Sequence, residues 1–221
     1  MQRTITVKGI GSGSASPDYV TLSMILESKN QNYDKAMDLA EKHIKELTEA
    51  LNCVGFAKET LKTTNFNVHT EYDNEKDHHG NWKKVFIGYI VTHNLKLEFD
   101  FDMERLSQAL NAISGCEAYP QLSVAFTIKD PSGLKEEMLR CACANAKEKA
   151  EILCSASGAK LGTLLNIDYN WSEINVISRT GYRREENALH SVGTPMKARS
   201  IDIQPEDINV RDTATFTWEI I

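Results

Sequence analysis

The stretch from Leu134 to Tyr169 constrains this chain more than any other. Leu134, Met138, Ala142, Ala146, Ala150, Leu153 and Ser157 recur at steps of three and four, the period of one buried helix face. Three alanines leave that face a low ridge, so the helix backbone must lie close to whatever it covers. A bulkier residue at Ala146 is expected to overpack the contact, at a cost of about 1–3 kcal/mol. Gly158 ends the helix, and Leu161-Gly162 leads into a strand over Leu165-Asn166-Ile167-Asp168-Tyr169.

The rest of the chain divides by the same tests. Residues 4–10 and 19–27 predict two strands, the second carrying Val20, Leu22, Met24 and Leu26 on one face. Between them the Gly/Ser-rich run of residues 11–18 predicts a flexible turn. It is no phosphate loop, because it lacks a Gly-Lys-Ser/Thr ending and precedes a strand. A helix over residues 32–54 follows from Tyr33, Met37, Ala40, Ile44, Leu47, Leu51 and Val54, with Gly55 as its left-handed cap. His43 falls at the boundary of that stripe.

Two long strands follow, residues 59–72 and 83–99. In the second, Val85, Ile87, Tyr89, Val91, His93, Leu95, Leu97 and Phe99 share one face by strict alternation. At ~3.3 Å per residue such a strand spans about 50 Å, which outruns a compact core. The hairpin must project or pack on another subunit. Its candidate interface residues are Phe66, Val68 and Tyr72 on one strand, Val85, Ile87 and Tyr89 on the other, and Trp82 near the turn.

Asp102 caps a short helix with Met103, Leu106, Leu110 and Ile113 on one face and Gly115 beyond its end. Leu122, Val124, Phe126 and Ile128 form another alternating strand. Asp130-Pro131 then opens the long helix with a cap followed by a proline at its first position. Residues 172–207 show no sustained period and are expected to form a long mobile loop, in which Ile174 to Ile177 extend the preceding strand. Ile208, Val210, Ala214, Phe216, Trp218 and Ile220 alternate in a last strand.

The resulting order is ββαββαβαββ. Residues 19–128 spell β-α-β-β-α-β, the split arrangement of ferredoxin-like domains. The expected fold is therefore α+β, an antiparallel sheet with helices on one face and a long projecting β-hairpin. No shift in composition divides the 221 residues, so one continuous domain over 1–221 is expected.

A net charge of -6 removes the concentrated basic face that nucleic-acid binding needs. The only basic cluster, Arg179 with Arg183 and Arg184, runs straight into Glu185 and Glu186. No apolar run approaches the ~20 residues of a membrane span. The first residues read as a strand and not as a secretion signal, so the chain as written is expected to be cytoplasmic; an exported precursor stripped of its leader would read the same. An odd number of cysteines, five, fits free thiols in a reducing compartment.

Few residues suggest chemistry. Cys141 and Cys143 are two apart on a helix, hence roughly 200° apart, so they cannot share a metal or form a disulfide there. They are expected to be buried small hydrophobes, and with Cys154 they are the weak redox candidates. His78-His79, with Asp73 and Asp77 at the hairpin tip, lack the third ligand at fixed spacing that zinc sites show. His69 and His93 lie on facing strands and would touch if the register paired them. No nucleophile elbow, zinc motif or carboxylate pair is present, so no catalytic residue, metal or cofactor is assigned.

With these elements placed, the chain resembles the SIMPL domain family, a domain of unknown function that occurs in oxidative stress defence proteins and in bacterial periplasmic immunogenic proteins. The resemblance rests on Ile5-Thr6-Val7-Lys8-Gly9-Ile10-Gly11, on Gly88-Tyr89, on Ala142 through Lys149-Ala150-Glu151 to Gly158-Ala159-Lys160-Leu161-Gly162, and on residues 203–210. It implies an α+β fold that self-associates, in some members into ring-like or channel-like assemblies, with a loose link to stress responses and no established catalytic residues. The function expected is a non-enzymatic, self-assembling protein whose partner is itself. The alternatives are a thiol-based redox enzyme or sensor, and a small-ligand-binding domain using the 172–207 segment as a lid.

Overall fold

The computed structural model describes residues 3–76, 81–169, 174–184 and 203–221. Among them are three α-helices and eight strands in two antiparallel sheets. The fold is α+β, as the element order predicts, with one more strand than expected. Contacts divide the chain into two compact units.

The first unit holds β1 (Thr4–Ala15), α3 (Ser132–Ala156), β6 (Leu161–Asp168) and β8 (Ile208–Ile220). Its sheet runs β1-β8-β6. Residues Gly11 to Ala15 belong to β1, paired to β8 from Thr4↔Glu219 to Ala15↔Ile208, so the expected flexible turn is strand for most of its length. Glycine weakens a strand taken alone, yet here the alternation of Val7, Gly9, Gly11 and Gly13 gives one side of β1 almost no relief. Helix α3 lies against it. A Cβ on Gly9 would sit 2.1 Å from the Ala142 carbonyl oxygen, and one on Gly11 1.8 Å from that of Met138.

The buried face of α3 is Met138, Ala142, Ala146, Ala150 and Cys154, a strict i+4 series. Leu153, expected on that face, is 54% exposed, and Cys154 takes its place. Steps of four rotate slowly round a 3.6-residue helix, so the stripe drifts away from Leu153 by its last turn. Two polar groups finish the contact along the unpaired side of β1: Ile10 N–H donates to Asn145 Oδ1 at 3.1 Å, and Lys149 Nζ donates to the Lys8 carbonyl at 3.3 Å. The N-cap is Pro131, one residue later than the cap expected at Asp130; Asp130, just outside the helix, still accepts from Ser132 N–H through Oδ1 at 3.0 Å.

The second unit holds β2 (Tyr19–Asn30), α1 (Tyr33–Cys53), β3 (Leu61–Lys76), β4 (Trp82–Asp100), α2 (Met103–Ser114), β5 (Gln121–Thr127) and most of β7 (Ile177–Arg184). Its sheet order is β3-β4-β2-β5-β7. The first four strands reproduce the split β-α-β pattern. β4 lies between β2 and β3, the two strands that α1 connects. α1 and α2 cover one face, burying Leu47, Leu51, Leu106, Ala109 and Ile113 against Val20, Leu22, Met24, Leu26, Leu95, Leu97, Val124 and Phe126. Asn32 caps α1 through Lys35 N–H, and Asp102 caps α2 through the N–H groups of Glu104 and Arg105.

β7 lies inside the segment expected to be a loop. Its sequence, Ile-Ser-Arg-Thr-Gly-Tyr-Arg-Arg, has little hydrophobic alternation because it sits at a sheet edge and leans on the core mainly through Tyr182. The parts of that segment at 172–173 and 185–202 fall outside the described residues, as do Asp77, His78 and His79.

Candidate interaction surface

The outer part of the β3–β4 hairpin is poorly covered. β2 pairs with β4 only from Asp100 back to Tyr89, so Trp82 to Gly88 are bonded to β3 alone. Phe66, Tyr72, Trp82, Phe86 and Ile87 are all exposed, Trp82 at 69%. A two-stranded ribbon carrying that much apolar surface is marginal in water, where three strands or a covering layer are normally required.

Two β-bulges decide which residues share a face. Thr63 pairs with Leu95 and Asn65 with Asn94, so Thr64 is extra on β3; Glu71 pairs with Gly88 and Tyr72 with Phe86, so Ile87 is extra on β4. Each extra residue reverses the alternation beyond it. Strict alternation places Val85 and Ile87 with Tyr89, and that expectation is corrected: Ile87 occupies the bulge, Val85 turns to the other face opposite Asp73, and Phe86 joins Tyr89. The rings confirm the phase. Tyr72–Phe86, Phe86–Tyr89 and Tyr89–Tyr33 meet edge to face at centroid distances of 5.7, 5.3 and 5.5 Å. Phe86 was missed in the sequence because nothing in β4 signals the bulge.

The remaining interface candidates separate. Val68 and Tyr89 pack beneath α1 with Ala36, Met37, Ala40 and Val91, so they are spoken for within the chain. Phe66, Tyr72 and Trp82 stay on the surface. Next to Phe66, an open cleft of about 230 Å³ is lined by Met37, Asp38, Ala40, Glu41, Ile44, Phe66 and His93.

The histidines are structural in their contacts. His93 pairs with Phe66 and not with His69, which faces Ile90. Its Nε2 shares a 2.7 Å hydrogen bond with Thr63 Oγ1, and burial holds its pKa below the ordinary value. His43 Nδ1 shares a 2.8 Å bond with the buried Ser28 hydroxyl. Burial, helped by Lys42, lowers its pKa against the opposing pull of Glu46 and Glu117.

The cysteines do not converge. Cys141 and Cys143 are exposed on either side of the buried Ala142, which corrects their expected burial: the stripe that meets β1 runs through Ala142 and leaves both neighbours in solvent. Cys154 is buried, and burial reinforced by Glu46 pushes the Cys116 thiol up to about 11. In the first unit the Tyr169 hydroxyl donates to Oδ2 of the buried Asp212 at 2.7 Å, a part-buried pairing that sequence spacing could not disclose. Among the described residues no three His, Cys, Asp or Glu side chains are grouped to hold a metal, and no helix is long and apolar enough to cross a membrane.

Two antiparallel sheets, each with helical cover, and an exposed aromatic hairpin define an α+β protein with a candidate contact surface. The model of the SIMPL family, described as a protein of unknown function (DUF541), matches residues 5–218, and the chain belongs to that family. No curated protein matches it.

Proposed function

We propose that this chain is a non-enzymatic protein that works by associating with itself through the β3–β4 hairpin. The observation that carries the proposal is the ribbon beyond Tyr89, which has one neighbour strand and exposes Tyr72, Trp82, Phe86 and Ile87. Exposed apolar area of this kind, rimmed by charge, marks a surface that another molecule covers. Among the described residues β3 is an edge strand, and its outer side adds backbone donors and acceptors that a partner can pair.

A role in oxidative stress defence in a bacterium is proposed from the family resemblance alone. The five free thiols support a reducing compartment, the cytoplasm, as the site of action. Size-exclusion chromatography with light scattering tests the association. A concentration-dependent oligomer is expected, and a strict monomer throughout the micromolar range overturns the proposal.

A further inference from the structure

We propose that the hairpin tip of one copy docks in the α1–β4 cleft of a second copy. This rests on the self-association proposed above and names its two surfaces. The described residues of the tip, 72–76 and 82–86, are chemically one-sided. Register pairs Tyr72 with Phe86, Asn74 with Lys84, and Lys76 with Trp82, and these alternate pairs occupy one face. The intervening pairs, Asp73 with Val85 and Glu75 with Lys83, put these two carboxylates on the other. Among the described residues, the face that continues the α1 side therefore carries aromatic rings and two lysines without a carboxylate. Lys76 Nζ lies 5.1 Å from the Trp82 ring centroid, joining cation and indole into one recognition element.

The cleft has the complementary character. Met37, Ala40, Ile44 and Phe66 give it an apolar floor, and Asp38 and Glu41 stand on its rim. Among the described residues, neither of these carboxylates has a cationic partner within 4.0 Å, and neither Lys76 nor Lys84 has a carboxylate partner. At about 230 Å³ the cleft falls below the roughly 300–1,000 Å³ usual for small-molecule sites. It has room for one large side chain.

That side chain cannot come from the same copy. Trp82 and His93 are eleven residues apart on one continuous strand, about 36 Å at ~3.3 Å per residue. Two hairpins laid face to face and antiparallel satisfy both contacts together, because the tip-to-cleft spacing is the same in each copy. Such an exchange closes on a twofold axis. Packing them parallel would set Lys76 and Lys84 against their own counterparts.

Charge reversal tests this. Asp38→Lys/Glu41→Lys alters the cleft, Lys76→Glu/Lys84→Glu alters the tip, and all four together restore opposite signs. Every one of these side chains is exposed, and circular dichroism with thermal melting verifies that each variant folds. Sedimentation equilibrium at low salt is expected to show association weakened about tenfold or more in either double variant and recovered in the quadruple variant. A wild type that associates while both double variants match it, or a quadruple variant no better than either, overturns the docking but leaves self-association standing. A monomeric wild type overturns both.

Discussion

Gly11→Ala is the sharpest test of how α3 is seated on β1. The added Cβ would lie 1.8 Å from the Met138 carbonyl oxygen and 2.7 Å from its carbon, where ordinary contact begins at 3.4 Å. Backbone cannot rotate away as a side-chain tip can, so α3 must retreat by about 1.6 Å, the difference between 3.4 and 1.8 Å. A gap of even ~0.5–1 Å forfeits a quarter to a half of each van der Waals well it opens. The loss extends along Ala142 and Ala146, and it stretches the bonds from Asn145 and Lys149 to β1. Overpacking of this kind costs about 1–3 kcal/mol, and the all-backbone clash places it at the upper end. For a chain of this length that is a fall in Tm of roughly 6–12 °C, at ~2–4 °C per kcal/mol. Urea and thermal unfolding followed by circular dichroism and by the emission of the buried Trp218 measure it. Gly133→Ala is the control: it is exposed in the first turn of α3 with nothing within 4 Å of the new atom. It should be neutral or stabilising by up to ~1 kcal/mol. A Gly11→Ala protein that melts within about 2 °C of its parent, on the same scale, refutes the close-approach reasoning.

Ala146→Leu, opposite Gly9, should destabilise by about 1–3 kcal/mol in the same unfolding assay, and loss of less than ~0.5 kcal/mol would count against tight packing there. His43 and His93 both have pKa values below 6.5 when folded, so the unfolded chain binds more protons as pH falls through 6.5. Stability is therefore retained above that pH and lost below it. Replacing both histidines with Gln should flatten the fall in urea midpoint between pH 7 and 5, and unchanged slopes would show the histidines are not its source. In the native protein at neutral pH an aromatic disulfide reagent should titrate Cys141 and Cys143 readily and Cys116 and Cys154 only after denaturant is added; prompt reaction of Cys116, whose thiol lies at about 11, would contradict its burial.

Local pattern carried most elements and their ends. Asn32 and Asp102 cap the helices that the apolar steps predict, and Gly55 and Gly158 take the positive φ that a helix end demands. These features depend on residues within a turn or two of each other. β7 was hidden because an edge strand needs little hydrophobic alternation when its partner supplies the ladder. Of the candidate surface, Phe66, Tyr72 and Trp82 were legible as exposed hairpin residues. Asp38, Glu41 and Phe86 were not, since each gains its place from a neighbour far along the chain.

The amino-acid sequence by itself determined the α+β element order, the split β-α-β core and the long hairpin, because hydrophobic period and capping chemistry are encoded over a few residues. Only the tertiary structure decided that glycines 9, 11 and 13 form a smooth bed for α3, that the alternation of β3 and β4 reverses at Thr64 and Ile87, and that Cys141 and Cys143 face solvent. The physical reason is that close approach, register and burial are relations between segments, set when Gly11 meets Met138 across more than a hundred residues of chain.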